Sequence, residues 1–261
     1  MSSLYVARVG GTLSADIAVP EHERELRFYS RVLTTGEKPL WREDLMNNQG
    51  TPIIGLGQPS PDYPDLPLQW MPHIQVADVA ASAKRAIELG GKELLHGKDK
   101  DGNSLWAALF DPSGIAFGII PVVSPEDIPS TATDADAAVG CIAWLDLTVP
   151  DAPALRDFYR EVIGWSAEDV PMEDAGERYA DYNMLGGDGE AAAGICHARG
   201  VNADLPSIWM MYLPVGDLAE SLRLVEEEGG KVLKATKKRS GEYASAVIQD
   251  PVGVCLALVP G

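Results

Sequence analysis

Apart from its carboxylates, this 261-residue chain offers few side chains for acid–base, nucleophilic or metal chemistry. It has four histidines, His22, His73, His96 and His197, and three cysteines, Cys141, Cys196 and Cys255. Four imidazoles are a short supply for a metalloenzyme. The cysteines are odd in number, form no C-x-x-C pair and sit in apolar, strand-like runs. They read as buried, reduced thiols, as expected of a cytosolic protein. No Gly-rich phosphate cradle, Walker loop or G-x-S-x-G elbow occurs. Arg199, in the segment CHARGVNADLP (196–206), is a candidate for holding an anion or carbonyl, but the commoner role is to anchor its loop to an acidic neighbour. His197 alternates with Cys196, so it points away from any interior that Gly194 and Cys196 face.

The acids outnumber the bases, 39 to 21, and give a formal net charge of −18. Nucleic acid and anionic membrane surfaces are excluded as partners, since both would be repelled. The charge reads as a solvated surface, or more rarely as a field that steers cationic ligands. No signal peptide is expected, and no run approaches the roughly 18 apolar residues of a membrane-spanning helix.

The elements that must position these residues are repeated. ADIAVPEHERELRFY (15–29) aligns with LDLTVPDAPALRDFY (145–159), pairing Asp16 with Asp146 and Tyr29 with Tyr159 at an offset of 130. Farther on, Gly90-Gly91-Lys92 matches Gly229-Gly230-Lys231, and the DPSG turn at 111–114 matches DPVG at 250–253, at an offset of 139. The second copy therefore carries nine extra residues after Tyr159. Two modules follow, 1–122 and 139–261, joined by a Pro/Ser/Thr/Asp/Ala-rich linker over 123–138. Each module halves again. A strand (13–19, 69–76, 142–149, 208–215) precedes a helix, and shorter strands follow. Asp78, Asp151 and Asp217 are placed as helix caps. The second helix of each module ends at a Gly-Gly pair, as a left-handed C-cap prefers. The predicted fold is α+β, with four βαβββ units.

This order of motifs (strand, V-P-D, helix, FY, then V-x-D, helix, GGK, then DP-x-G, strand) resembles the vicinal oxygen chelate superfamily. That group contains glyoxalase I, bleomycin-resistance proteins and extradiol dioxygenases. The resemblance covers roughly 10–122 and 139–260. It implies that each module curls into a cup, a mixed sheet with helices outside and a ligand or metal within. The fold is shared by metalloenzymes and by proteins that only bind drugs, so it does not give the function.

In metal-using members the ligands come from the first and last strands of the units. Those positions map to Ser14, Met71, Trp144 and Met210, and to Gly118, Ala257, Gly55 and Gly194. None offers a divalent ion a carboxylate or imidazole. The resemblance therefore implies no metal and no other cofactor. Small or soft residues at those places instead suit a dry pocket for an organic molecule. The bland alternative is that they simply fill the barrel. Strand alternation points Asp16 and His73 into the first cup, and Asp146 and Tyr212 into the second. Asp16 with His73 would be a metal-free acid–base pair meeting across the pocket. Asp146 with Tyr212 would be a weaker relay or a binding pair. Both aspartates also fit a structural role. The loop 57–70, with Tyr63, is either a lid or a stiff connector.

The expected function is metal-independent binding or sequestration of an apolar or aromatic metabolite, or a part in its biosynthesis. Ser14, Met71, Gly118, Trp144, Asp146, Met210, Tyr212 and Ala257 are the candidate ligand contacts, and Asp16 and His73 the candidate catalytic pair. The alternative is an enzyme of the same superfamily, a hydroxylase, lyase or dioxygenase with an atypical site. The expected assembly is a monomer or homodimer in the cytoplasm.

Overall fold

The computed structural model describes residues 7–34, 40–41, 43–47, 50–61, 63–124, 126 and 139–261. Most of the expected linker lies outside the described residues. The first unit runs β1 (Thr12–Ala18), α1 (His22–Val32), β2 (Leu40–Trp41), β3 (Asp44–Met46) and β4 (Pro52–Gly57). The second runs β5 (Met71–Val76), α2 (Val79–Glu88), β6 (Lys92–Lys98), β7 (Ser104–Phe110) and β8 (Ala116–Pro121). The third is β9 (Trp144–Val149), α3 (Ala152–Ile163), β10 (Ser166–Asp174), β11 (Glu177–Leu185) and β12 (Ala191–His197). The fourth is β13 (Trp209–Val215), α4 (Leu218–Glu227), β14 (Lys231–Lys237), β15 (Tyr243–Gln249) and β16 (Cys255–Pro260).

The fold is α+β, with four βαβββ units in two mixed sheets. One sheet has the strand order β2-β3-β4-β1-β5-β8-β7-β6, and the other repeats it as β10-β11-β12-β9-β13-β16-β15-β14. Each module thus builds its own cup, with the first strands of its two units antiparallel neighbours at the centre. The extra residues of the second module lengthen one hairpin. Strands β10 and β11 have nine residues each, against two and three in β2 and β3.

Local chemistry sets the helix ends. Asp78, Asp151 and Asp217 each accept a backbone N–H three residues on, at 3.0–3.1 Å, which satisfies an otherwise orphan donor of the first turn. Helix α1 has no such cap and starts instead at Glu21 in a left-handed conformation.

Alternation divides the two faces of each sheet. In β1, Ala15 and Ile17 are buried with Val19 beyond them, whereas Ser14 and Asp16 turn to the concave side. The buried face meets the helices. Helix α1 also packs on α4, and α2 on α3, so the modules join through their helical sides. A single apolar core runs through both. Within it Phe117 meets Phe158 and Tyr159 edge-on, at 6.1 and 5.1 Å between ring centroids. Trp70, Trp165 and Trp209 are core residues. Each fully buried aromatic of this kind contributes about 2 kcal/mol. The side chain of Trp41 lies outside the described residues. Among the described residues no helix is long and apolar enough to cross a membrane.

Candidate functional site

The register of the first sheet lays out the interior of its cup. Asp44, Gly55, Asp16 and Met71 are successive cross-strand partners on β3, β4, β1 and β5. The next row is Ser14, His73, Gly118 and Ala108, on β1, β5, β8 and β7. The second sheet repeats both rows. Asn183, Gly194, Asp146 and Met210 form one, and Trp144, Tyr212, Ala257 and Val247 the other.

The first cup encloses a cavity of about 680 Å³, lined in part by Asp16, Asp44, Met71, His73, Trp106 and Gly118. Tyr63 and Leu66, from the loop between β4 and β5, also reach it, so that loop covers part of the cup. Cavities of roughly 300–1,000 Å³ suit a drug-sized molecule. The polar groups gather on one side. The Ser14 hydroxyl lies 2.9 Å from His73 Nδ1, and His73 Nε2 lies 3.4 Å from Asp16 Oδ2. Asp16 and His73 do not face each other across the pocket as expected. Because β1 and β5 are adjacent, the two are diagonal neighbours within one sheet.

Two glycines permit this arrangement by leaving out a side chain. A Cβ on Gly118 would stand 2.7 Å from His73 Cδ2. A Cβ on Gly55 would collide with Asp16 Oδ1 and stand 2.8 Å from Asp44 Oδ1. Asp44 and Glu43 were missed in the sequence. The available signal was register, since Asp44 and Asn183 are 139 residues apart, the offset that also relates Gly55 to Gly194.

The second cup is fuller. In its central row Trp144, Tyr212, Ala257 and Val247 stand where the first cup has Ser14, His73, Gly118 and Ala108. Every exchange adds volume. Met210, Val247, Cys255 and Ala257 pack together beneath Leu205, Ile208 and Tyr212. Asp146 accepts from Trp144 Nε1 at 2.8 Å, with the Tyr212 hydroxyl close by. Burial raises the pKa of Asp146, and the neighbouring Trp144 and Tyr212 donors only partly offset it. Burial, with Asp146 and Asp181 nearby, pushes the Cys196 thiol up to about 12, which makes it a poor nucleophile. His197 has its Nδ1 3.0 Å from Asp181 and its ring edge-on to Tyr179. Arg199 pairs with Glu177 and Asp174 at the tip of the β10–β11 hairpin and stacks on Tyr179, tying down its loop.

The donor set does not fit the metal centre that many members of the fold use. The positions expected to supply its ligands hold Ser14, Met71, Gly55 and Gly118 in one cup. In the other they hold Trp144, Met210, Gly194 and Ala257. Among the described residues no group of three or more His, Cys, Asp or Glu is placed to hold a metal ion.

Comparison with known proteins agrees with this architecture. Residues 141–258 match the model of the glyoxalase/bleomycin resistance protein/dioxygenase superfamily, and residues 13–120 match that of a glyoxalase-like domain. The anthracycline biosynthesis protein DnrV of Streptomyces peucetius is 31% identical over 133 residues, 46% of this chain and 47% of that protein. The putative glyoxylase CFP32 of Mycobacterium tuberculosis is 30% identical over 116 residues, 44% of this chain and 43% of that one. These matches span a little under half of each relative. Among solved structures, a variant of homoprotocatechuate 2,3-dioxygenase from B. fuscum superposes with a TM-score of 0.59 at 15% identity. It covers 99% of this chain and 74% of its own. A mutant of 4-hydroxymandelate synthase from Streptomyces coelicolor gives 0.55 at 12% identity, covering 97% and 93%. At such identities the likeness is one of fold. The chain belongs to the glyoxalase/bleomycin resistance protein/dioxygenase superfamily, as a member with two modules.

Proposed function

We propose that the protein binds a small, largely apolar aromatic molecule in the first cup, without a metal ion, to carry it or to serve a step of its biosynthesis. The observation that carries this reading is the cavity itself. It is large enough for a polycyclic ligand and walled by Met71, Leu95, Leu105, Trp106 and Ile119, with its polar groups confined to one side. The positions that would hold a metal carry residues that let a flat ring approach the strands instead. The likeness to a protein of anthracycline biosynthesis supports a polycyclic aromatic ligand.

Titration with 1,8-dihydroxyanthraquinone, followed by calorimetry and by tryptophan fluorescence, tests it. Saturable binding of one molecule per chain is expected, with quenching lost in Trp106→Phe. Absence of saturable binding would overturn the reading.

The hydrogen bond between Ser14 and His73, with Asp16 Oδ2 3.4 Å from His73 Nε2, favours a second reading, a metal-free enzyme in which these side chains handle a proton of the ligand. Product analysis after incubation with the bound ligand separates it from binding alone.

A further inference from the structure

We infer, resting on that reading of the first cup, that the cup selects ligands which present a hydrogen-bond donor to Asp16 and rejects those which present an anion. His73 and Ser14 act as positioning residues. A carboxylate only accepts hydrogen bonds, and a neutral imidazole carries one N–H. The Ser14 hydroxyl is hydrogen-bonded to His73 Nδ1 at 2.9 Å, and His73 Nε2 lies 3.4 Å from Asp16 Oδ2. One ring nitrogen is thus engaged by Ser14, and the other lies beside the carboxylate. Exposure agrees, since the His73 side chain is 22% exposed and that of Asp16 57%. Asp16, the more exposed of the two, is therefore the group that meets the ligand, with the imidazole standing beside it.

The charge of the wall gives the selection its sign. Asp16, Glu43 and Asp44 line the cavity, and among the described lining residues none is Lys or Arg. Asp16 and Asp44 lean over Gly55 from the strands on either side. A carboxylate or phosphate brought here meets like charges in a partly dry pocket, with no cation among the described lining residues to pair it. A phenolic or enolic hydroxyl meets acceptors. The second cup lacks this opportunity, because Trp144 already donates to Asp146, which is itself largely buried.

The test compares 1,8-dihydroxyanthraquinone with anthraquinone-2-carboxylate by calorimetry at pH 7. The hydroxylated ring is expected to bind at least about tenfold more tightly. Asp16→Asn should narrow the gap to about threefold or less. Glu43→Gln alters an exposed side chain, so the variant should fold, and it should improve binding of the carboxylate. Nitrogen-15 spectra should show His73 as the Nε2–H tautomer, shifting to a mixture in Ser14→Ala. A carboxylate that binds as tightly as the hydroxylated ring overturns the selection but leaves the cup an aromatic site. Failure of both rings to bind overturns the functional reading and this inference with it. A gap unchanged in both variants overturns the role of the acidic wall. An Nδ1–H tautomer in the unmodified protein overturns the positioning role.

Discussion

The hydroxyl of Tyr29, in α1 of the first module, donates to Asp250 Oδ2 in the DPVG turn of the second, at 2.7 Å. The converse bond runs from Tyr159 in α3 to Asp111 Oδ2 in the DPSG turn, at 3.0 Å. All four residues are buried. In each turn the other carboxylate oxygen accepts backbone N–H groups, from Ser113 and Ile115 or from Val252 and Val254. The motifs that revealed the duplication are therefore joined crosswise. Each module's first helix holds the other module's last turn.

Removing either hydroxyl strands a buried carboxyl oxygen. Tyr29→Phe is expected to cost about 1–3 kcal/mol in urea unfolding. Tyr159→Phe should cost more, because Trp209 Nε1 also donates to the Tyr159 hydroxyl at 3.0 Å and would lose its acceptor. Equal effects would mean that this Trp209 bond contributes nothing.

Stability should fall as pH rises from about 4.5 to about 8. Glu25 in α1 is fully buried, and among the described residues neither carboxyl oxygen has a hydrogen-bond partner. Burial first, and then the nearby Asp250, push its pKa from 4.5 to about 8. The folded chain keeps a proton there that the unfolded chain releases above about pH 4.5, so folding weakens across that window and levels off beyond it. Burial also raises Asp250 and Asp111, and both act in the same direction. The equivalent place in the second module is Leu155, a core residue. Glu25→Leu should raise Tm by several degrees at pH 8 and by less at pH 5. Scanning calorimetry at both values decides it, and an equal shift at both would remove the ionisation argument.

Gly118→Ala should separate binding from folding. The added methyl group displaces the His73 ring and with it the brace on Asp16. Affinity for the hydroxylated anthraquinone should fall about tenfold, with Tm moved by no more than a few degrees. The second cup already carries Ala257 here, with Tyr212 in place of His73. An unchanged affinity would show that the position of His73 is immaterial.

Metal should be dispensable. Elemental analysis of protein purified without added metal should find iron, zinc and nickel well below one atom per chain, and a strong chelator should leave ligand affinity unchanged. Stoichiometric, tightly held metal would overturn the metal-independent reading.

Much of the fold was legible in the chain, because its signals are local or repeated. Asp78, Asp151 and Asp217 cap the helices expected of them, since a cap needs only a residue three positions on. The offsets of 130 and 139 yield the two modules, and their difference becomes the longer β10–β11 hairpin. Alternation sufficed to turn Ser14, Asp16 and His73 to one face of the sheet.

What the sequence by itself determined was therefore periodic: the elements, their repetition, and the residue types facing each cup. What only the tertiary structure decided depended on contacts between distant strands. Register brought Asp44 beside Gly55 and made Asp16 and His73 diagonal neighbours rather than facing partners. Volume distinguished the two cups, because Trp144, Tyr212, Ala257 and Val247 are each larger than the Ser14, His73, Gly118 and Ala108 that they replace. Packing of the helical sides paired Tyr29 with Asp250 across 221 residues. Local propensity carries no term for any of these, since each is fixed only when separate strands or helices come together.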